Sequence, residues 1–221
     1  MQLVKIVLYP SDGVIAEAGA MMFLEDDVDF DAKLGDESNP SQGFFGSLWS
    51  AGTWLFTGES LFLTHFTNKN PSIQRKVAFA APFPGKIVLV NMANVGQKLI
   101  CQKDAFLYAA LGMKLSIHFN QKIGTGLFSK EDFILQKLEG DGMVFIQAAG
   151  CIVKKELNGG QIHVDAGCLV AYTSGVDFNI TPVKGLKLIL LGGEGLFLAT
   201  LQGHGTVWLQ SLPFSRMCDS I

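Results

Sequence analysis

The sequence predicts an all-β fold of three tandem antiparallel units in a pseudo-threefold arrangement. Of the 221 residues, 48% are hydrophobic, and the chain has 25 glycines against 7 prolines. This composition is typical of a well-buried chain with many turns and argues against disorder. Three short apolar elements also recur in a constant order, which predicts the tandem units.

The first repeated element occupies residues 14–22, 99–107 and 162–170. Each copy has an apolar start, a Gly or Asp five residues on, a small residue, and then two apolar residues. Its length and its aliphatic and aromatic content predict strands rather than a long amphipathic helix.

The second element begins at Glu59, Glu131 and Glu194 and has the form E-x-apolar-apolar-L-x-x-apolar. It starts 32 residues after the first element in the second and third copies and 45 residues after it in the first copy. The third element begins at Val77, Val144 and Val207.

The matched order divides one compact domain, residues 1–221, into three repeats. The first repeat is 1–84 with an insertion at 35–57, the second is 85–148 and the third is 149–221. A unit of this size buries too little surface alone, so we expect the repeats to share one core or to pack face to face.

The second and third elements are separated by Asn68-Lys69-Asn70, Gly140-Asp141-Gly142 and Gly203-His204-Gly205. Gly and Asn tolerate positive φ best, so we expect hairpin turns here. Because the middle residue is Lys, Asp or His, we interpret it as an exposed turn tip. His204 is then neither a metal ligand nor a catalytic base.

The glutamates Glu59, Glu131 and Glu194 are the only candidate site residues that all three copies share. They are either three equivalent acidic sites or carboxylates that satisfy backbone N–H groups at the start of a strand. We favour the structural role. No His or Cys recurs beside them, which weakens a metal-binding interpretation.

No catalytic, cofactor or metal motif is recognisable. The run at 192–195 lacks the phosphate-loop pattern and precedes a strand-like segment. The histidines never occur as HxH, which argues against a metal-dependent cupin; they are His65, His118, His163 and His204. The acidic stretch at 27–31 departs from a calcium loop and predicts a strand with Val28 and Phe30 inward. We therefore expect no cofactor.

The charge and the cysteines restrict the partners and the compartment. The formal net charge of −3 gives no bulk electrostatic case for nucleic acid. We expect no signal peptide and no spanning helix, because long apolar runs are lacking. The scattered cysteines predict free thiols in a reducing, cytoplasmic environment; they are Cys101, Cys151, Cys168 and Cys218.

The insertion at 35–57 is the most unusual segment. Phe45, Leu48 and Trp49 follow helical spacing, and Phe44 adds further apolar bulk. This surface either caps one end of the β core or contacts another subunit, another protein or a membrane surface.

Motifs along the whole chain resemble those of a known family. They are Glu-Ala-Gly-Ala-Met-Met at 17–22, the 57–68 segment, Ala-Pro-Phe-Pro-Gly at 81–85 and the closing 193–211 segment. The sequence is similar to a widespread family of uncharacterised bacterial proteins. That family is related to the mitochondrial biogenesis protein of the altered-inheritance-of-mitochondria group.

The resemblance implies a fold like that of the tryptophan RNA-binding attenuation protein. That fold is a short double-stranded β-helix, tripled in one chain and expected to assemble as a ring-like trimer. Mitochondrial relatives are associated with inner-membrane organisation, which suggests scaffolding. No residues match the attenuation protein's RNA or tryptophan pockets.

We therefore expect a non-catalytic, homo-oligomeric scaffold or binding module, with a trimer favoured. The alternatives are a small-ligand or RNA-binding protein, by fold analogy alone, and a metal-dependent cupin-like enzyme. The acidic composition counts against RNA.

Overall fold

The chain is all-β, as the sequence predicts. The computed structural model describes residues 2–17, 19–34, 62–122, 132–182, 197–213 and 216. The regular elements named within these ranges are strands and three short 3-10 turns. None of the helical segments in the described ranges is long and apolar enough to cross a membrane.

The strands are distributed over all three repeats. In the first repeat they are β1 (Leu3–Leu8), β2 (Gly13–Glu17), β3 (Met21–Leu24), β4 (Val28–Leu34), β5 (Phe62–Asn68) and β6 (Arg75–Ala80). In the second they are β7 (Gly85–Asn91), β8 (Lys98–Gln102), β9 (Phe106–Ala110), β10 (Lys114–Lys122), β11 (Asp132–Glu139) and β12 (Met143–Ala149). In the third they are β13 (Ile152–Asp165), β14 (Leu169–Thr173), β15 (Val176–Pro182) and β16 (Phe197–Gln210).

The strands form three sheets. One has the order β1-β6-β3, and a second has the order β4-β5-β2-β9-β12-β7. The third has the order β10-β11-β8-β14-β16-β13, with β15 also paired to β16. The described pairings are antiparallel, and two of the sheets contain strands from two repeats.

The first sequence element folds in the same way in each copy. A strand runs into a short corner and then into a second strand: β2 into β3, β8 into β9, and β13 into β14. The two strands lie in different sheets in the first two copies, whereas β13 and β14 lie in one sheet and both pair with β16. The corners of the second and third copies are 3-10 turns at Lys103–Ala105 and Ala166–Cys168. The repeated sequence pattern therefore encodes a repeated path of strand, corner and strand.

The predicted hairpin between the second and third elements is wrong. Strands β5 and β6 lie in different sheets, as do β11 and β12, and β16 passes through the corresponding segment without reversing. Gly140, Gly142, Gly203 and Gly205 do have positive φ, at 139°, 119°, 124° and 155°. These glycines bend the chain instead of turning it back on itself.

Three hydrophobic cores are buried among the described strands, one centred on each repeat. The first core contains Val14, Ala16, Phe66, Val77 and Phe79. The second contains Leu99, Cys101, Phe106, Val144 and Ile146, and the third contains Tyr172, Ile180, Ala199, Leu201 and Val207. Neighbouring repeats contribute side chains to each other's cores, so the repeats pack as one continuous structure.

The acidic strand β4 differs from its prediction in one residue. Val28 is buried as expected, but Phe30 is 59% exposed and stacks at the surface on Phe66, with ring centroids 6.3 Å apart. The alternation fails after Val28 because β4 is an outermost strand of its sheet, with less of its surface covered.

Candidate assembly interface

The first internal junction joins β2 of the first repeat to β9 of the second. Val14 pairs with Ala110, Ile15 with Ala109, and Ala16 with Tyr108. The Ile15 side chain is buried in the second core, together with Leu63 of the first repeat. The first repeat therefore supplies part of its successor's core.

The second junction repeats this arrangement between β8 and β14. Leu99 pairs with Thr173, Ile100 with Tyr172, and Cys101 with Ala171. Ile100 and Leu135 of the second repeat lie in the third core, as Ile15 and Leu63 lie in the second.

Each junction also covers the core of the preceding repeat. Leu107 and Tyr108 of β9 close the first core, and Val170 and Ala171 of β14 close the second. Two apolar surfaces are therefore buried at each junction, one contributed from each side.

One open edge lies on β3, which occupies the position that β9 and β14 occupy in the other repeats. In the described residues β3 pairs with β6 on one side only. Met21, Met22 and Phe23 are 40%, 57% and 40% exposed, whereas their counterparts in β9 and β14 are buried. This edge carries apolar side chains without the cover that the internal junctions provide.

The other open edge is the 161–165 part of β13, the counterpart of β2 and β8. Within the described ranges it pairs only with β16. Ile162 and Val164 are half-buried against the third core, and His163 is exposed. His163 contacts the Gln161 side chain at 3.2 Å and the Thr200 hydroxyl at 3.0 Å.

The other outermost strands do not differ in this way from the equivalent strands of the other repeats. In every repeat the first strand lies at an outer edge of its sheet; these strands are β1, β7 and the first half of β13. The same holds for a second set of equivalent strands, β4, β10 and β15. Among the described strands, only β3 and the 161–165 part of β13 are open where the corresponding strands are paired. These two segments are called the open edges below.

The sequence-predicted site residues fall in two groups. Seven lie outside the described residues: Phe44, Phe45, Leu48, Trp49, Glu59, Glu131 and Glu194. The three bend residues Lys69, Asp141 and His204 are all exposed, which confirms that this position faces solvent even though it is not a hairpin tip. The His204 N–H donates to the carbonyl oxygen of Gly175 at 2.9 Å.

The histidines lie on four different strands, namely β5, β10, β13 and β16. Burial, followed by the charges of Lys137 and Lys98, lowers the pKa of His118. Within the described ranges, no three His, Cys, Asp or Glu side chains form a group that could hold a metal ion.

One carboxyl group is strongly perturbed. Burial of Glu17 at the first junction raises its pKa to about 7; the charge of Lys103 opposes this shift and that of Asp104 adds to it. The pKa of the Cys101 thiol is raised mainly by its full burial and also by the charge of Glu17. Nearby in the sheet, Gln136 lies opposite Cys101 and is fully buried.

Two corner glutamines were missed by the sequence reasoning. Gln147 donates from Nε2 to the carbonyl oxygen of Asp104 at 2.8 Å, and Gln210 donates in the same way to Gly167 at 2.9 Å. Both occupy the fourth position of the third sequence element, in the copies that begin at Val144 and Val207. Comparison of these two copies would therefore have identified the shared glutamine. Each glutamine ties its strand to the corner of the same repeat.

Three comparisons relate the chain to known proteins. A family model described as mitochondrial biogenesis AIM24 matches residues 1–212. An uncharacterised protein of Streptococcus pyogenes serotype M6 is 27% identical over 220 residues, which cover 99% of this chain and 85% of the relative. The crystal structure of a Streptococcus pyogenes protein is similar, with a TM-score of 0.74 and 25% identity, over 99% of this chain and 92% of that chain.

Proposed function

The chain belongs to the mitochondrial biogenesis AIM24 family, and from that premise we propose that it is a non-catalytic scaffold that self-associates through its open edges. The observation that carries this proposal is the difference in cover between equivalent strands. Strands β3, β9 and β14 are equivalent. Strand β9 pairs with β2 and β14 pairs with β8, and both are buried, whereas β3 exposes Met21, Met22 and Phe23.

The proposal includes three tandem sandwich-like units in a pseudo-threefold arrangement, of the attenuation-protein type. Three features support it: the common strand–corner–strand path, the three cores, and the corner glutamines of the second and third repeats. In such a series of units, the open edge of the last unit can pair with the open edge of the first unit of another copy.

The internal junctions define a register for the contact between copies. Transferring the β2–β9 and β8–β14 pairings to the open edges places Phe23 of one copy opposite Val164 of another. The same register places Leu24 opposite His163 and Glu25 opposite Ile162. Antiparallel pairing would satisfy the backbone groups of both edges and bury the apolar side chains beside them.

The contact is head-to-tail, because the two edges are different surfaces of the chain. A heterologous contact of this kind forms a closed ring when its rotation closes, and a filament when it does not. We propose a ring of three copies, in line with the attenuation-type fold.

The molar mass in solution tests this assembly. With a chain mass of 23.9 kDa, light scattering at micromolar concentration should give about three times that value, as expected for a closed three-membered ring. A mass equal to a single chain across this concentration range would contradict the proposal.

The insertion is the proposed contact for a further protein or for a membrane surface. The basis is its sequence: Phe44, Phe45, Leu48 and Trp49 form a dense apolar group, and such groups mark interaction surfaces when exposed. Sedimentation with vesicles of phosphatidylcholine and phosphatidylglycerol tests the membrane arm. Replacing all four residues with Ser should reduce pelleting, whereas Tyr9→Ser, an exposed aromatic control, should not.

Unchanged pelleting of the four-residue variant would contradict a membrane contact through the insertion.

We also propose a cytoplasmic location, supported by the free thiols of Cys101, Cys151 and Cys168. Cell fractionation tests the location, and recovery in an oxidising compartment would contradict it.

A further inference from the structure

His163 occupies a position that is isoleucine in the other two repeats. Ile15 and Ile100 hold the equivalent positions of β2 and β8, and both are buried in the core of the following repeat. His163 lies at the open edge of β13 and is exposed. The one uncovered copy of this position therefore carries the only one of the three side chains that can change its charge.

We propose that His163 makes self-association depend on pH, because a neutral imidazole fits between two copies and an imidazolium does not. This inference rests on the proposed head-to-tail assembly and specifies how that contact is regulated. Histidine is the side chain whose ordinary titration falls between pH 5 and 8.

The surroundings of His163 in the assembly follow from the transferred register. At the internal junctions, Ile15 faces Ala109 and Ile100 faces Tyr172, in each case inside a core. The corresponding neighbour of His163 is Leu24 of a second copy, which pairs with Val77 of the first core. Apolar carbon on that side would replace the water that now solvates the ring.

Polar partners on the same chain can hold the neutral ring. Gln161 lies 3.2 Å from one ring nitrogen and Thr200 lies 3.0 Å from the other. A neutral imidazole has one donor and one acceptor, so both contacts can be satisfied without a charge. Burial of an imidazolium in the same place would remove its hydration without a carboxylate contact from the described residues to replace it.

The charged groups around this position are mostly engaged with each other. Asp165, two residues along β13, accepts a hydrogen bond from Arg216 at 2.8 Å. On the second copy, Glu25 is paired with Lys76 at 3.8 Å. Asp177 on β15 lies beyond β16, about two strand spacings or ~10 Å from β13, where solvent screening weakens its attraction.

The neighbouring described strands therefore supply no direct counter-charge to the imidazolium. The direction of the pH dependence is then set by the cost of desolvating the charged ring. Association should be strong above pH 7 and should weaken as the pH falls. If each contact must release one proton, the association constant per contact should fall roughly tenfold between pH 7.5 and pH 5.5.

The experiment measures the molar mass of the full chain across a concentration series at pH 7.5, 6.5 and 5.5. His163→Ile, which restores the residue of the other repeats, should associate at least as tightly as the native chain and without pH dependence. His163→Gln, which remains neutral and polar, should also lose the pH dependence. His204→Gln, at the exposed bend of β16, is the matched control and should keep the native pH profile. Circular dichroism at each pH shows that the monomers remain folded.

The outcomes separate the two proposals. If the native chain and His163→Ile both associate with the same pH dependence, the role of His163 is overturned and the scaffold stands. The role of His163 is also overturned if the native chain associates equally well at all three pH values. If every variant is a monomer at every pH, the head-to-tail assembly itself is overturned, and the pH switch with it.

Discussion

Met22 and Leu107 occupy the same position in two sequence repeats, but Leu107 is fully buried and Met22 is 57% exposed. Leu107 is covered because β9 pairs with β2 and closes the first core. Met22 lies on β3, which has no such neighbour in the described residues. An apolar side chain at a position built for burial is the central reason to expect a second copy there.

Met22→Asp should separate the assembly into single chains that remain folded. The substitution would place a carboxylate in the proposed apolar contact, so association should weaken by about 100-fold or more. The free energy of unfolding of the single chain should change by less than about 0.5 kcal/mol, because Met22 is exposed there. Light scattering and denaturant unfolding measure the two effects.

Met143→Asp is the matched control for this substitution. Met143 is also an exposed methionine, at 42%, but it lies at the start of β12, which pairs with neither open edge. A molar mass that drops equally in both variants would show that the effect is not specific to the open edge.

The bend in β16 should depend on its glycines and not on its histidine. A Cβ at Gly203 would collide with the carbonyl oxygen of Gly175 and would require an unfavourable positive φ. Gly203→Ala should therefore cost about 2–4 kcal/mol of stability. His204→Ala should change stability by less than about 0.5 kcal/mol, because the side chain is exposed. Thermal unfolding of both variants measures these effects, and equal losses would contradict this role for the bend.

Glu17 should make the chain less stable as the pH rises towards neutrality. Burial raises its pKa from 4.5 to about 7, so the folded state holds the proton more tightly than the unfolded state. The resulting stabilisation is present at low pH and is lost between about pH 4.5 and pH 7. Above pH 7, Glu17→Gln should be more stable than the native chain by roughly 1–3 kcal/mol, allowing for partial solvent screening.

Denaturant unfolding at pH 5 and pH 8 measures this difference. Glu156→Gln serves as a control, because the Thr206 hydroxyl and Lys154 lower the pKa of that exposed carboxyl. Loss of stability at pH 8 in Glu17→Gln would contradict the assignment.

Gln147→Ala should destabilise the second repeat. Removal of the side-chain amide would leave the partly buried contact to the Asp104 carbonyl unmade, at a cost of about 1–3 kcal/mol. Gln202→Ala, on the exposed part of β16, should stay within about 0.5 kcal/mol of the native chain. Chemical unfolding of both variants provides the comparison, and equal effects would contradict a corner-tying role for Gln147.

The repeats in the sequence predicted the strand positions well, because apolar alternation and small corner residues are local signals. They failed at Gly140-Asp141-Gly142 and Gly203-His204-Gly205, where the sequence reasoning expected hairpins. A hairpin turn and a bend between sheets both require glycines with positive φ. Only the long-range pairing of β11 and β16 separates the two structures.

The sequence shows which residues differ at the open edges, but it does not show which strands lack a neighbour. Comparison of the first element places Met22 beside Leu107 and His163 beside Ile100, so the apolar and the titratable substitutions can be read from the repeats. Which copy lacks a neighbour depends on how the units connect, and that is a property of the tertiary arrangement. The carboxyl of Glu17 was also missed, because its perturbed pKa arises from burial by a strand distant in sequence.

A cysteine pair at the two open edges tests the central claim most directly. Residues directly opposite each other on antiparallel strands lie within reach of a disulfide, so Phe23→Cys and Val164→Cys in one chain should link neighbouring copies on oxidation. Non-reducing electrophoresis should show covalent multimers that reductant converts to single chains, and neither single substitution should form them. A product that remains a single chain, or single variants that cross-link equally well, would contradict head-to-tail pairing of the open edges.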